Sequence, residues 1–184
     1  MTAPSKAPTP GTGEIVRLLL DSGAVRFGEF TLASGAKSDI YIDVKRAWTD
    51  PARLDTLARA LAARAGDEPR LAGMELGAVP LVVALALRTG RPYAVLRKSA
   101  KDHGTRAPFE GEIPAGGRVL LVEDVTTTGG STVRSIEIVR AAGGLVDRAL
   151  VVVDREQGAS DQLAAAGVRL EPLVRLSELR VARS

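Results

Sequence analysis

The stretch VLLVEDVTTTGGST, residues 119–132, decides the fold. Four consecutive apolar residues at 119–122 read as a strand of a parallel sheet, because a strand covered on both faces needs no polar alternation. The strand runs directly into two acids. Glu123 and Asp124 adjoin where strand gives way to loop, and their repulsion is tolerable only where water, a cation or hydroxyl donors compensate it. Residues 126–132 follow, rich in hydroxyls around Gly129 and Gly130. Glycines permit backbone conformations that aim several N–H groups at one point, and the apolar-periodic segment from Val133 supplies a helix N-terminus behind them. The combination predicts a phosphate cradle flanked by carboxylates that accept hydrogen bonds from sugar hydroxyls. It is neither of the commoner nucleotide loops, since no Lys follows the glycines as GxxxxGK[ST] requires and there is no GxGxxG.

Working outward, 184 residues suffice for one domain with a full core. An apolar fraction of 45% and a charged fraction of 26% are those of an ordinary globular protein. No apolar run approaches the roughly 20 residues of a membrane span, and no basic region followed by an apolar core marks a secretory signal. The chain has no cysteine, so disulfides and thiolate metal sites are excluded; a cytoplasmic location is expected. The net charge of +3 is spread over interleaved bases and acids, and aromatic residues make up only 3%, which argues against nucleic-acid binding.

Along the chain, residues 1–13 carry three prolines among small residues and are expected to form a loose tail ahead of one domain at 14–184. Ile15, Val16, Leu18, Leu19 and Leu20 predict a short helix ended by Gly23. Residues 25–47 read as two strand-like pieces broken at Ser34-Gly35, with Ile40, Ile42 and Val44 alternating with Tyr41, Asp43 and Lys45. Asp50-Pro51 starts a helix whose Leu54, Leu57, Ala58, Leu61 and Ala65 share a face. Strands are predicted at 70–74, 92–96, 149–153 and near 168–174, helices through Leu87, Val139 and Ala166, and a turn at 176–179. The expected fold class is α/β: an open, mostly parallel sheet of about five strands flanked by helices, with a small N-terminal hood at about 14–47 and a core at about 51–175. Between the second and third of these core strands, residues 97–112 gather Arg97, Lys98, Lys101 and His103, and Gly104, Pro108, Gly111 and Pro114 argue against a continuing helix. A cationic flexible loop suits a polyanion. Arg155 follows the 149–153 strand at the sheet edge where open parallel sheets bind ligands, and a guanidinium there pairs bidentately with a carboxylate.

EDVTTTGGS (residues 123–131) resembles the phosphoribosyl pyrophosphate (PRPP) motif of type I phosphoribosyltransferases, and FTLASGAKSDIYID (residues 30–43) resembles the hood of orotate phosphoribosyltransferases. RKSAKDHG (residues 97–104), preceding EDVTTTGGS, matches the order found in the orotate enzymes rather than in their purine-using relatives. The resemblance implies a pentosyltransferase of pyrimidine (UMP) biosynthesis that converts orotate and PRPP to orotidine 5′-monophosphate and pyrophosphate. It assigns PRPP to Arg97, Lys98, Lys101, His103, Glu123, Asp124, Val125, Thr126, Thr127, Thr128, Gly129, Gly130 and Ser131, and orotate to Thr127 and Arg155. Catalysis falls to Lys101, Arg97, His103 and Asp124. Mg²⁺ is the implied cofactor, carried mainly by substrate oxygens and water, so no separate protein metal site is expected. A homodimer that shares the 97–112 loop across its interface is implied as well, with neither nucleic acid nor membrane as partner. The chain departs from the pattern at Ala33, where one branch has a substrate-contacting Lys, and around Gly77 in the 73–80 turn, which resembles the pyrophosphate loop but lacks a Lys found in some members. Lys37 reads as a solvated loop lysine. Two other readings share the cradle: a phosphoribosyltransferase acting on a purine or uracil, and a PRPP-sensing regulator without turnover.

Overall fold

A computed structural model describes residues 8–31, 35, 37–98 and 108–183. In chain order the elements are α1 (Thr12–Asp21), β1 (Val25–Thr31), β2 (Lys37–Ile42), α2 (Lys45–Trp48), α3 (Pro51–Arg64), β3 (Arg70–Met74), α4 (Val79–Thr89) and β4 (Tyr93–Leu96). There follow β5 (Phe109–Glu110), β6 (Val119–Thr126), α5 (Gly130–Ala141), β7 (Arg148–Asp154), α6 (Ala159–Ala165), β8 (Arg169–Arg175) and α7 (Leu176–Val181).

The main sheet runs β5-β4-β3-β6-β7-β8, and every neighbouring pair is parallel except β4 with β5. Five parallel strands are therefore those expected; the sixth is a two-residue antiparallel edge inside the cationic segment. In β6 the apolar run splits between two cores. Leu120 and Val122 pack with Leu57, Leu61, Leu81 and Leu85 of α3 and α4. Val119 and Leu121 pack with Ile136 and Val139 of α5 and Leu163 of α6. Helices on both faces explain why this strand needs no alternation.

Local chemistry sets the helix ends. Asp50 Oδ1 accepts from the Arg53 N–H at 2.9 Å, with Pro51 in the first turn, so α3 begins as its sequence predicts. Gly23, at φ 68°, follows α1 and turns the chain into the hood. α1 starts at Thr12, three residues ahead of the apolar set that predicts it, and β6 continues past its apolar run through both acids to Thr126. The segment at 176–179 is not a turn but the start of α7, whose Ser177 N–H donates to Glu156 Oε2 at 2.7 Å.

The hood is an antiparallel β1–β2 hairpin, with a register shift between Phe27 and Phe30. It is tied to the C-terminal helix by Arg180, which holds both Asp39 oxygens at 2.6 and 2.8 Å, and by the Arg183 guanidinium, 4.7 Å from the Phe27 ring centre.

Candidate active site

The sheet order reverses between β3 and β6: β4 continues from β3 in one direction, whereas β7 and β8 continue from β6 in the other. Loops leaving the carboxyl ends of these two strands diverge and open a crevice, the usual ligand position in an open parallel sheet. A cavity of about 380 Å³ lies there. Its walls are Met74, Glu75, Leu76 and Gly77 after β3, Lys98 after β4, Glu123, Asp124 and Val125 of β6, Ser131 at the start of α5, and Lys45 from the hood. A larger groove of about 540 Å³ between α1 and α7 shares none of these residues.

Glu123 is 7% exposed, and burial together with the negative charge of Asp124 pushes its carboxyl up to about 8, against the partial relief given by Lys98. The pair thus avoids carrying two adjacent charges by keeping a proton on the buried member at neutral pH. Both acids are also held by the local backbone, the Asp124 N–H donating to Glu123 Oε1 at 3.2 Å and the Val125 N–H to Asp124 Oδ1 at 2.8 Å.

Across from Asp124 comes the loop after β3, where the Glu75–Leu76 peptide is cis. A Cβ at Gly77 would stand 2.1 Å from Asp124 Oδ2 and 2.4 Å from its Cγ, so only glycine lets this backbone reach the carboxylate. Glu75 Oε1 accepts from the Lys98 N–H at 2.9 Å, linking the loops that follow β3 and β4.

The cradle lies at the end of β6. Gly129, at φ 94°, caps α5, and a Cβ there would press on Leu163, Gln162 and Ala159 at 3.0 to 3.2 Å. The first turn of α5 directs unbonded N–H groups toward this end, a ready anion site. Thr127 is half-buried, and Thr128, Gly130 and Ser131 are exposed. Thr126 differs: its side chain is 1% exposed and its hydroxyl is buried without a hydrogen-bond partner, so that hydroxyl is not presented to the crevice.

Arg155 does sit beside the cradle, its N–H donating to the Thr126 carbonyl at 2.9 Å, but it stands outside the cavity lining and is 9% exposed with Nε unpartnered. Its turn is fixed by Asp154 Oδ1, which accepts from the Glu156 N–H at 2.9 Å. Arg97 is turned to the sheet edge, pairing with Glu110 Oε1 at 2.6 Å, and does not line the cavity. Lys98 does. Lys101 and His103 lie outside the described residues, as does Ala33. Lys37 donates to Thr31 Oγ1 at 2.9 Å across the hairpin.

Sequence reasoning missed Lys45 and Glu75. The alternation read over residues 40–45 marks Lys45 only as facing away from the core, but the strand ends at Ile42 and Lys45 opens helix α2, and nothing local announces that this turn brings it to the crevice.

Residues 49–170 match the phosphoribosyl transferase domain family, so crevice, paired acids and cradle belong to a phosphoribosyltransferase. An orotate phosphoribosyltransferase of Methanoculleus marisnigri is 52% identical over 165 residues, covering 90% of this chain and 96% of that protein. The crystal structure of orotate phosphoribosyltransferase from Aeropyrum pernix superposes with a TM-score of 0.82 at 36% identity, over 92% of this chain and 99% of that one. A Mycobacterium tuberculosis orotate phosphoribosyltransferase solved with PRPP gives 0.77 at 30% identity, over 93% and 99%. The chain belongs to the orotate phosphoribosyltransferase family.

Proposed function

We infer that the chain transfers the ribose 5-phosphate group of PRPP to orotate, giving orotidine 5′-monophosphate and pyrophosphate for pyrimidine biosynthesis. The observation that carries this reading is the crevice between β3 and β6, where Glu123 and Asp124 stand between a glycine loop and the first turn of α5. Family membership supplies the substrates.

Breaking the bond to pyrophosphate leaves positive charge on the ribose and negative charge on the leaving group. The residues therefore act by position and charge rather than by covalent chemistry. Glu123 and Asp124 hold the ribose hydroxyls, and the backbone of residues 126–131 with the hydroxyls of Thr127, Thr128 and Ser131 holds the 5′-phosphate. Thr127 and Arg155 hold orotate; a buried guanidinium with an unpartnered nitrogen fits a carboxylate ligand. Lys98, with Arg97, Lys101 and His103, gathers around pyrophosphate. For Arg97 this requires exchanging Glu110 for the ligand.

Among the described residues no group of three histidines, cysteines or acids surrounds one point. Family membership implies Mg²⁺, which would be held chiefly by phosphate oxygens and water, with Asp124 the crevice carboxylate that would face it, and which would neutralise negative charge on the phosphates.

The dimer belongs to this proposal too, with the 97–112 loop of one subunit closing over the other's crevice. Among the described residues no helix is long and apolar enough to cross a membrane. Addition of PRPP and Mg²⁺ to enzyme and orotate should lower the orotate ultraviolet absorbance. No fall with orotate, but turnover of a purine or uracil, would redirect the assignment within the scaffold. PRPP binding without turnover of any base would leave a sensor.

A further inference from the structure

Lys45 opens α2 on the hood side of the cavity and lies outside the 49–170 stretch shared with the wider family. Its ammonium is 2.6 Å from Asp43 Oδ1, yet its side chain remains 49% exposed. Asp43 and, further off, Asp124 draw its charge toward the crevice and raise its affinity for a proton, so it is cationic at neutral pH. Asp43 is itself fixed, since its N–H donates to the Ala24 carbonyl at 2.7 Å.

The opposite wall explains why such a cation is needed. At Gly77 the loop touches Asp124 through its backbone, and the space a side chain would need is already filled by that carboxylate. No charge can be delivered from that point. The lining among the described residues is then three acids, Glu75, Asp124 and Glu123, of which Glu123 keeps its proton, against Lys45 and Lys98. The multiply charged diphosphate entering beside Asp124 meets repulsion unless both lysines face it.

An ammonium has three donors, so Lys45 can keep Asp43 while offering others to phosphate oxygens. Because Asp43 already restrains it, less side-chain freedom is lost on binding than for an unattached lysine. The 5′-phosphate has its own donors in the first turn of α5, which leaves the diphosphate arm as the group in need of a cation from the hood.

We propose that Lys45 is a binding residue for the diphosphate arm of PRPP, supplied by the hood and anchored by Asp43. This rests on the phosphoribosyl-transfer reading. Calorimetry with Mg²⁺ and three ligands, PRPP, pyrophosphate and ribose 5-phosphate, tests it. Lys45→Ala should weaken PRPP and pyrophosphate about 10-fold or more, as loss of a charge-assisted hydrogen bond does. Ribose 5-phosphate, which lacks the diphosphate, should change less than about 2-fold on the same scale. Lys45→Arg should recover most of the loss, and the KM for PRPP should follow the binding constants.

Unchanged PRPP and pyrophosphate binding in Lys45→Ala, with wild-type turnover intact, overturns the role of Lys45 alone. Equal weakening of all three ligands, unrescued by Arg, overturns it too, because the hood would then be disturbed as a whole. A wild-type protein that binds neither PRPP nor pyrophosphate overturns the phosphoribosyl-transfer reading along with it.

Discussion

Replacing Glu123 by Gln should make the ligand-free protein more stable, and increasingly so as the pH rises. Glu123 is 7% exposed beside Asp124, and its carboxyl is pushed from 4.5 up to about 8. Below about pH 4.5 folded and unfolded chains both carry the proton; between there and about 8 only the folded chain does. Stability therefore falls as pH rises through this window, by about 1.4 kcal/mol per pH unit, and is no longer lost above it. The full interval corresponds to an upper value of about 5 kcal/mol. Glutamine keeps the shape, fills the same buried site and does not ionise.

The difference in unfolding free energy between Glu123→Gln and wild type should thus grow by about 3 to 4 kcal/mol from about pH 5 to about pH 8. Urea unfolding at a series of pH values measures it, followed by the fluorescence of Trp48, the chain's one tryptophan, packed against the core. A parallel series on Asp124→Asn should lose stability over a narrower pH window than wild type, because that substitution removes part of what raises the Glu123 carboxyl. A wild-type to Glu123→Gln difference constant to within about 0.5 kcal/mol over this range would refute the reasoning. The active site would then hold both carboxylates ionised when empty.

Three further outcomes follow from the geometry and the proposed roles. Gly77→Ala puts a methyl group where Asp124 lies, so steady-state kcat/KM should fall by about 10²-fold with little change in the urea midpoint; unaltered kinetics would show that Asp124 can move without cost. Removing Arg180 and Arg183 together as alanines should speed amide exchange in β1 and β2 while β6 stays protected, since these side chains clasp Asp39 and Phe27 of the hood. Mixing Lys101→Ala with Asp124→Asn, each expected to lose about 10²-fold in kcat, should restore activity in hybrid dimers if the 97–112 loop is shared, and should restore none if each subunit is self-sufficient.

The sequence by itself determined the sheet and the position of the acids on it. Residues 119–122 are apolar without alternation, and that is possible only in a strand with helices on both faces; the next two residues then fall at its carboxyl end. Asp50-Pro51 set the start of α3 through contacts within one turn. Such features are local, so a short window of residue types carries them.

Only the tertiary structure decided what faces those acids. Gly77 meets Asp124 because β3 and β6 are neighbours at the point where strand order reverses, a consequence of topology with no trace in either segment. Lys45 enters the cavity from the hood, Arg97 turns to Glu110 on an edge strand, and Thr126 turns its hydroxyl inward. α7 is capped both by its own Glu178, which accepts from the Arg175 N–H, and by Glu156, 21 positions earlier, which accepts from the Ser177 N–H, and only the second of these contacts lies outside the segment. Contacts between segments distant in the chain depend on how helices and strands pack, and residue order alone does not encode which side chains that packing brings within reach of one another.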